Sequence, residues 1–299
     1  MTTDPGSGAA PVTGAAPEAW VPSETELARR ALRKRMDRRR ILVATVSTVV
    51  VFGVLIAVLV TSPGWKVFQE TFFDLEYARE VFPGILEGFK TDLLIVVFST
   101  VIIAVLAMVI AIARTTRAAA TAPVRFLATG YVDLFRGIPL LLVLYLIGFG
   151  LPALQISWLP TSPVVLGTVA ISLTYAAYVA EVIRSGILSV HPSQRAAARA
   201  LGLSQGQTMR HVVLPQALRR VVPPLLNDFV SLLKDVSLVS VLGVYEGVRQ
   251  AQIYTSESFN FTPFVVAAAI FLVVTIPLTR VTDRVLARAI ARQNAQGTA

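Results

Sequence analysis

Three charged side chains interrupt an apolar segment, residues 221–244, and packing alone does not explain them. Asp228, Lys234 and Asp235 lie there among Val, Leu and Phe residues. A charge inside a membrane-spanning segment is costly, and it tends to face the interior of a helix bundle or to mark a functional site. Two interpretations stay open. Lys234 faces a polar path between helices, or Lys234 and Asp235 lie near the outer surface, where the helix ends.

Catalysis by this chain is not predicted. The sequence has no cysteine, which excludes disulfides, thiolate nucleophiles and cysteine-bound metals. Its two histidines, His191 and His211, lie in or beside one polar segment, and such a pair alone is weak evidence for a metal site. The phosphate-binding pattern Gly-x-x-x-x-Gly-Lys-Ser/Thr does not occur. We therefore expect no catalytic residue and no metal ligand, and a membrane enzyme is the least favoured class.

The composition is that of a membrane protein. Of the 299 residues, 55% are hydrophobic and 15% are charged, whereas soluble domains contain about 25% charged residues. The formal net charge is +9, but the basic residues cluster beside apolar segments, so we reject nucleic acid as a partner. Residues 1–28 are rich in Gly, Ala, Pro and Thr, which predicts a disordered N-terminal tail.

Uncharged runs long enough to cross a bilayer, about 20 residues each, recur along the chain. One of them is long enough for two spans and is broken by Pro152, Pro160 and Pro163, where a hairpin turn would lie. The uncharged runs are residues 41–60, 93–113, 137–180 and 258–279. Together with the charged segment 221–244, they predict an all-α membrane protein with about six transmembrane helices.

The basic residues predict the orientation of these spans, because Lys and Arg concentrate in short cytoplasmic loops. Eight of them lie between Arg29 and Arg40, directly before the first span. Six crossings place further basic residues on the same side: Arg114, Arg117, Arg125, Arg280, Arg284, Arg288 and Arg292. The opposite loops are acidic. We therefore expect a multi-pass protein of the plasma membrane with both termini in the cytoplasm.

A polar, basic segment, QRAAARALGLSQGQTMRHVVLPQALRR at residues 194–220, separates two predicted spans. Alanines at helical spacing form one face of a first helix, and Gly202 supplies the left-handed residue that ends it. Ser204 and Gln207 fit a capping box that begins a second helix, which Pro215 limits. The segment predicts a cytoplasmic helix-turn-helix. From periodicity alone, a docking element and an amphipathic loop on anionic lipid headgroups fit equally well.

The pattern AAARALG, nine residues, VVLP resembles the cytoplasmic EAA loop of ABC importer permeases, which reads Glu-Ala-Ala, three residues, Gly, nine residues, Ile-x-Leu-Pro. Longer strings, among them YVAEVIRSGILSV, LPQALRR and LLKDVSLVS, are similar to the polar amino-acid uptake family of these permeases, the histidine, glutamine and glutamate type. The resemblance runs from about Gly84 to Arg288 and leaves the first span outside it. It implies the fold of a type I ABC importer permease.

The resemblance implies that a separate ATPase subunit hydrolyses ATP and receives the polar segment as a coupling loop of about residues 189–216. This chain then binds no cofactor itself and is a transport permease, not an enzyme. The residues that we expect in the ATPase-coupling loop are Ala196, Ala197, Ala198, Arg199, Gly202, Leu214 and Pro215. Ala196 stands where the pattern has Glu, so any salt bridge that this Glu makes to the ATPase is absent or supplied elsewhere.

The resemblance also implies a second permease subunit, identical or homologous, and an extracytoplasmic amino-acid-binding protein, assembled at the lipid bilayer. The residues that we expect on a substrate path are Arg136, Asn227, Ser231 and Lys234. The family's Asn-x-Gly-Ala-Tyr appears as TYAAY at residues 174–178, so no substrate contact is carried over there. The alternative is a stand-alone secondary transporter or channel whose basic loop binds lipid.

Two pairs of opposite charges lie three residues apart and so share a helical face. For Asp133 and Arg136, an ion pair and a position of Arg136 near the path both stay open. For Glu181 and Arg184, we expect an ion pair.

The chain therefore divides into five predicted regions. These are a disordered tail (1–28), a basic segment with an extra first transmembrane helix (29–60), an extracytoplasmic loop (61–83), a permease transmembrane domain (84–288) and a cytoplasmic tail (289–299).

Overall fold

The computed structural model describes residues 23–116 and 119–297, and the ordered elements in those ranges are all helices. The α-helices are α1 (Glu24–Val60), α2 (Trp65–Phe72), α3 (Leu75–Thr115), α4 (Ala122–Gly137), α5 (Leu140–Ala153), α6 (Pro163–Ser189), α7 (Pro192–Ala200), α8 (Gln205–Thr208), α9 (Leu214–Asp235), α10 (Gly247–Ser258) and α11 (Thr262–Gly297). The chain forms two units, of which the first ends at Lys66 and the second begins at Val67.

The first unit joins the basic segment and the first predicted span in one unbroken helix, α1. The Ser23 hydroxyl caps its start by accepting a hydrogen bond from the Glu26 amide at 3.3 Å, as expected for an N-cap serine. α1 begins at Glu24, so helix occupies the end of the tail predicted over residues 1–28. Residues 1–22 lie outside the described part. The apolar side chains of residues 41–60 are exposed, as lipid-facing side chains are.

Four helical segments of the described chain are long and apolar enough to cross a membrane: α1, α2 together with α3, α6 and α11. A fifth is counted if α4 and α5, which are bent by 106° at their junction, form one span. The predicted span 221–244 is not one helix, because α9 ends at Asp235 and a 3₁₀ helix, Val236–Leu242, follows. The number six therefore stays a prediction.

Two segments predicted as loop or tail are helical. The predicted outer loop 61–83 contains α2 and the first turns of α3, and the Phe261 amide donates a hydrogen bond to the Thr71 carbonyl at 2.8 Å, which joins this region to the start of α11. At the other end, α11 continues to Gly297 and so includes most of the predicted tail 289–299.

α6 is the central helix of the second unit and packs against α3, α4, α5 and α9. Its buried face is apolar and small, with Ala170, Ala177 and Ile187 among the fully enclosed side chains. Glycine allows α9 to approach closely, since a β-carbon at Gly186 would lie 3.2 Å from the Ala217 carbonyl oxygen. Small residues at helix crossings are typical of membrane bundles.

A second apolar cluster joins α3, α10 and α11 and contains Val81, Ile85 and Phe89 together with Ala251 and Ile270. The opposite faces of the long helices carry large apolar side chains that stay exposed. This arrangement suits helices whose outward faces contact lipid.

Candidate coupling loop and polar path

The first helix of the polar segment, α7, has defined ends. His191 Nδ1 accepts a hydrogen bond from the Ser193 amide at 3.3 Å and so caps the start of α7. At the other end, Gly202 has φ +83°, its amide donates to the Arg199 carbonyl at 3.0 Å, and the Leu203 amide donates to the Ala198 carbonyl at 3.2 Å. These bonds form a Schellman motif. The predicted role of Gly202 as the left-handed residue that ends the helix is confirmed.

The second helix begins as predicted but does not end as predicted. Ser204 Oγ accepts from the Gln207 amide at 3.3 Å and Gln207 Oε1 accepts from the Ser204 amide at 2.8 Å, which completes the capping box. Pro215, however, does not end the second helix. A π-helical turn, Met209–Val213, carries the chain from α8 into α9, and Pro215 lies in the first turn of α9, where its missing amide is tolerated.

The loop has one face against α6 and one face free. Ala198 is buried, and Arg195 donates to the Ile187 carbonyl at the end of α6. Arg220 donates to the Ser189 carbonyl and thereby fixes the start of α9 to the same end of α6.

Some of the predicted coupling residues lie on the exposed face of the loop and others on its packed face. Ala196, Ala197, Arg199 and Gly202 are exposed. Ala198 is a packing residue, and half-buried Leu214 packs against the main apolar core, while Pro215 is exposed. A further exposed residue was not among those predicted: Leu201 is 83% exposed.

A series of polar side chains connects α4, α6 and α9. The Arg136 guanidinium lies 5.7 Å from the centre of the Tyr178 ring, and the Tyr178 and Tyr175 rings are 6.4 Å apart. The Tyr175 hydroxyl donates a hydrogen bond to Asp235 Oδ2 at 2.7 Å. In the described residues Asp133 and Arg136 form no ion pair, and a position of Arg136 near a substrate path stays a prediction.

Tyr175 lies near the middle of α6, about 21 Å along the helix axis from the end of this helix at Ser189. Asp235 accepts a hydrogen bond from Tyr175, so α9 ends beside the middle of α6 and not beside the end of α6 at Pro163. Lys234 is exposed on the surface of this chain, and both interpretations of its position stay predictions.

The predicted path residues of α9 share one side of the helix. Asn227, Ser231 and Lys234 are four and three residues apart, Asn227 and Lys234 are exposed, and Ser231 is half-buried. Asp228 is half-buried on another side, and its buried Oδ2 has no hydrogen-bond partner among the described residues. The structure thus groups the α9 candidates, whereas Arg136 reaches α9 only through the two tyrosines.

The predicted ion pair between Glu181 and Arg184 is present and is part of a larger group. Arg184 donates to both Glu181 oxygens, at 2.5 and 2.9 Å. Arg114 Nη1 donates to Glu181 Oε2 at 2.6 Å and links α3 to α6. Sequence reasoning missed the link, because only the bundle brings Arg114 near a residue so distant in sequence.

The roles of two fully buried acidic residues were also not predicted from the sequence. Glu246 accepts hydrogen bonds from the Val248 amide at 2.8 Å and the Arg249 amide at 2.6 Å and so caps α10. Asp92 Oδ2 accepts from the Gly247 amide at 3.1 Å, which fixes the same end of α10 to α3. A carboxylate before a helix start is a recognisable capping signal, but the role of Asp92 required the tertiary structure.

Residues 119–291 match the family described as the binding-protein-dependent transport system inner membrane component. The chain belongs to this family. The permease is 37% identical to the probable glutamine ABC transporter permease GlnM of Bacillus subtilis over 65% of its own length and 88% of the relative.

A second relative is the arginine transport permease ArtQ of Bacillus subtilis, 35% identical over 66% of the permease and 88% of ArtQ. Among solved structures, an amino-acid ABC transporter with histidines is 32% identical and superposes with a TM-score of 0.65, covering 72% of the permease and 98% of that chain. The permease is therefore an ABC importer component with a multi-pass membrane fold. It is a transport subunit and not itself an enzyme, and ATP use in this family belongs to a partner ATPase.

Proposed function

We propose that this permease is the membrane subunit of an ATP-driven importer of polar amino acids, with the loop 189–216 as its coupling element. The observation that carries the proposal is the loop itself. Its first helix has fixed ends, its tip is exposed, and its second helix continues without a break into α9. A rigid element of this kind transmits a movement of a partner subunit to the membrane helices.

The path for the substrate runs, in this proposal, along α9 and the middle of α6. Asn227 and Ser231 offer neutral hydrogen-bonding groups, Lys234 offers a partner for a substrate carboxylate, and Arg136 lies at the far end of the tyrosine series. Relatives named for glutamine and arginine transport support a polar amino acid as the substrate.

The assembly that we propose contains two permease subunits, identical or homologous, above a pair of ATPases, and an extracytoplasmic binding protein that delivers the amino acid. The exposed side of α9 suits a path formed between two permeases, because its polar groups are not covered within one chain. Both termini lie in the cytoplasm in this arrangement, on the side of the coupling loop.

The experiment that tests the proposal is co-purification of the detergent-solubilised full chain from its native cells, followed by identification of the bound proteins. We expect a nucleotide-binding ATPase with the wild type and its loss in Gly202→Pro and Arg199→Glu. Gly202→Pro is disruptive because φ at this position is +83°, whereas proline requires about −65°.

Gly206→Ala is the matched control, since this glycine of the same loop has no positive φ and open space around it. A folded wild-type chain that retains no ATPase, and that transports when reconstituted alone, would instead establish the stand-alone transporter.

A further inference from the structure

The coupling loop carries positive charge without compensation. Residues 182–227 contain no Asp or Glu. Arg195 and Arg220 are occupied, because they bind carbonyl groups at the end of α6. Arg199 and Arg210 are exposed, and within 23–116 and 119–297 neither side chain forms a hydrogen bond or an ion pair. These two guanidinium groups are therefore available to another molecule.

An apolar side chain protrudes beside these cations. Leu201 is the C-cap residue of α7 and is 83% exposed. The Schellman bonds around Gly202 hold the backbone on either side of it, so the leucine is presented by a fixed turn. An aliphatic side chain on a rigid, exposed position can serve as the anchor of a protein interface when a pocket of the partner encloses it.

The exposed face of α7 does not suit a lipid surface. A helix that lies in the membrane interface buries a continuous stripe of large apolar residues. α7 has nine residues, and the small side chains of Ala196, Ala197 and Ala200 form its exposed apolar surface. Small side chains instead permit the close approach of a second protein surface.

We infer that the coupling loop docks in an acidic cleft of the ATPase, in which an apolar pocket encloses Leu201 and carboxylates pair with Arg199 and Arg210. This inference rests on the proposed function and adds the chemistry of the partner surface. The loop itself supplies no negative charge, because the exposed residue at position 196 is alanine. Complementary potentials of this kind set the specificity and the rate of association.

The test uses the full chain in phosphatidylcholine nanodiscs and the ATPase that co-purifies with it. Its affinity is measured at about 0.1 M and about 1 M salt, between which the Debye length falls from roughly 10 to roughly 3 Å. We expect Arg199→Gln and Arg210→Gln each to weaken binding about three- to tenfold at low salt, as for charges at the rim of an interface. Both variants also reduce the salt dependence.

Leu201→Ala weakens binding about tenfold or more at both salt concentrations, because the loss of an enclosed apolar anchor is not screened. Arg284→Gln and Leu286→Ala on α11 are the matched controls. Both side chains are exposed and lie on the predicted cytoplasmic side, and we expect neither change to alter the affinity.

The outcomes are distinguishable. A charge reversal at Arg199 that is rescued by an acidic-to-basic change on the ATPase establishes the acidic cleft. ATPase binding that is insensitive to salt and to both arginine variants overturns the inference and leaves the proposed function intact. If the variants change ATPase binding only in nanodiscs that contain phosphatidylglycerol, and not in phosphatidylcholine nanodiscs, the cations serve lipid and the inference is wrong. If the wild type binds no ATPase at all, the proposed function fails as well.

Discussion

The contact between α3 and α10 leaves no room for a side chain at Gly88. A β-carbon there would lie 2.7 Å from the Glu246 carbonyl carbon, 2.8 Å from its carbonyl oxygen and 2.8 Å from Gln250 Cγ. The first two atoms belong to the backbone directly before α10, which the Asp92 and Glu246 carboxylates hold in place. Gly88→Ala therefore forces one helix to move, because the two backbone atoms of Glu246 cannot turn away as a flexible side chain could.

The change in the free energy of unfolding caused by Gly88→Ala follows from two opposing effects. Overpacking a closely packed core costs about 1–3 kcal/mol, whereas replacing a helical glycine by alanine gains about 1 kcal/mol. Gly88→Ala should therefore lower the free energy of unfolding by up to about 2 kcal/mol. Gly130 on α4 is the control, since nothing lies within 4 Å of its β-carbon position, and Gly130→Ala keeps only the gain.

The assay is thermal unfolding of the solubilised full chain, followed by circular dichroism. For a unit of this size, 1 kcal/mol shifts the midpoint by about 2–4 °C. The two variants should differ by roughly 2–12 °C, with Gly88→Ala the less stable. Equal midpoints for the two variants would refute the close packing of α10 on α3.

Three further predictions concern the polar groups and the continuous helix. Glu181→Gln removes the charge that binds Arg114 and should lower the free energy of unfolding by about 2 kcal/mol, the cost of a charged hydrogen bond; a chemical unfolding curve unchanged from the wild type would contradict it. Tyr175→Phe deprives Asp235 of its donor and should slow uptake in proteoliposomes about tenfold, since such a bond contributes about 1.5 kcal/mol; normal uptake would remove the pair from the path. Pro215→Ala should leave the midpoint of thermal unfolding unchanged or raise it by a few degrees, because alanine suits the first turn of α9, and a clear loss of stability would show that the proline is needed there.

Helix caps and ion pairs between residues close in the sequence were predicted correctly. The capping box and the left-handed Gly202 depend only on residues within five positions of one another, and so does the ion pair between Glu181 and Arg184. The family resemblance further identified the permease fold over two thirds of the chain.

What the sequence did not predict involves residues that are far apart along the chain. Arg114 is 67 residues from Glu181, and Tyr175 is 60 residues from Asp235. Neither bond follows from periodicity, because it depends on how the helices cross. Pro215 was misjudged for another reason. Proline disfavours helix in the residue before it, but here the π turn, with its looser hydrogen bonding, takes up the constraint before α9 begins.

The π turn holds one extra residue inside a continuous helix. From Gln205 to Asp235 the backbone is helical throughout, over about 45 Å, and Met209–Val213 is wound one residue wider than its neighbours. Deleting one residue from this turn would restore an ordinary α-helix and leave the direction of both flanking segments almost unchanged, because the wider turn and the α turn each close after slightly more than one revolution. Deleting one residue from α9 itself would instead turn Arg199 and Leu201 by about 100° relative to the rest of that helix. The direction in which the loop faces its partner is thus set by the number of residues in α9, whereas the π turn tolerates a change in length.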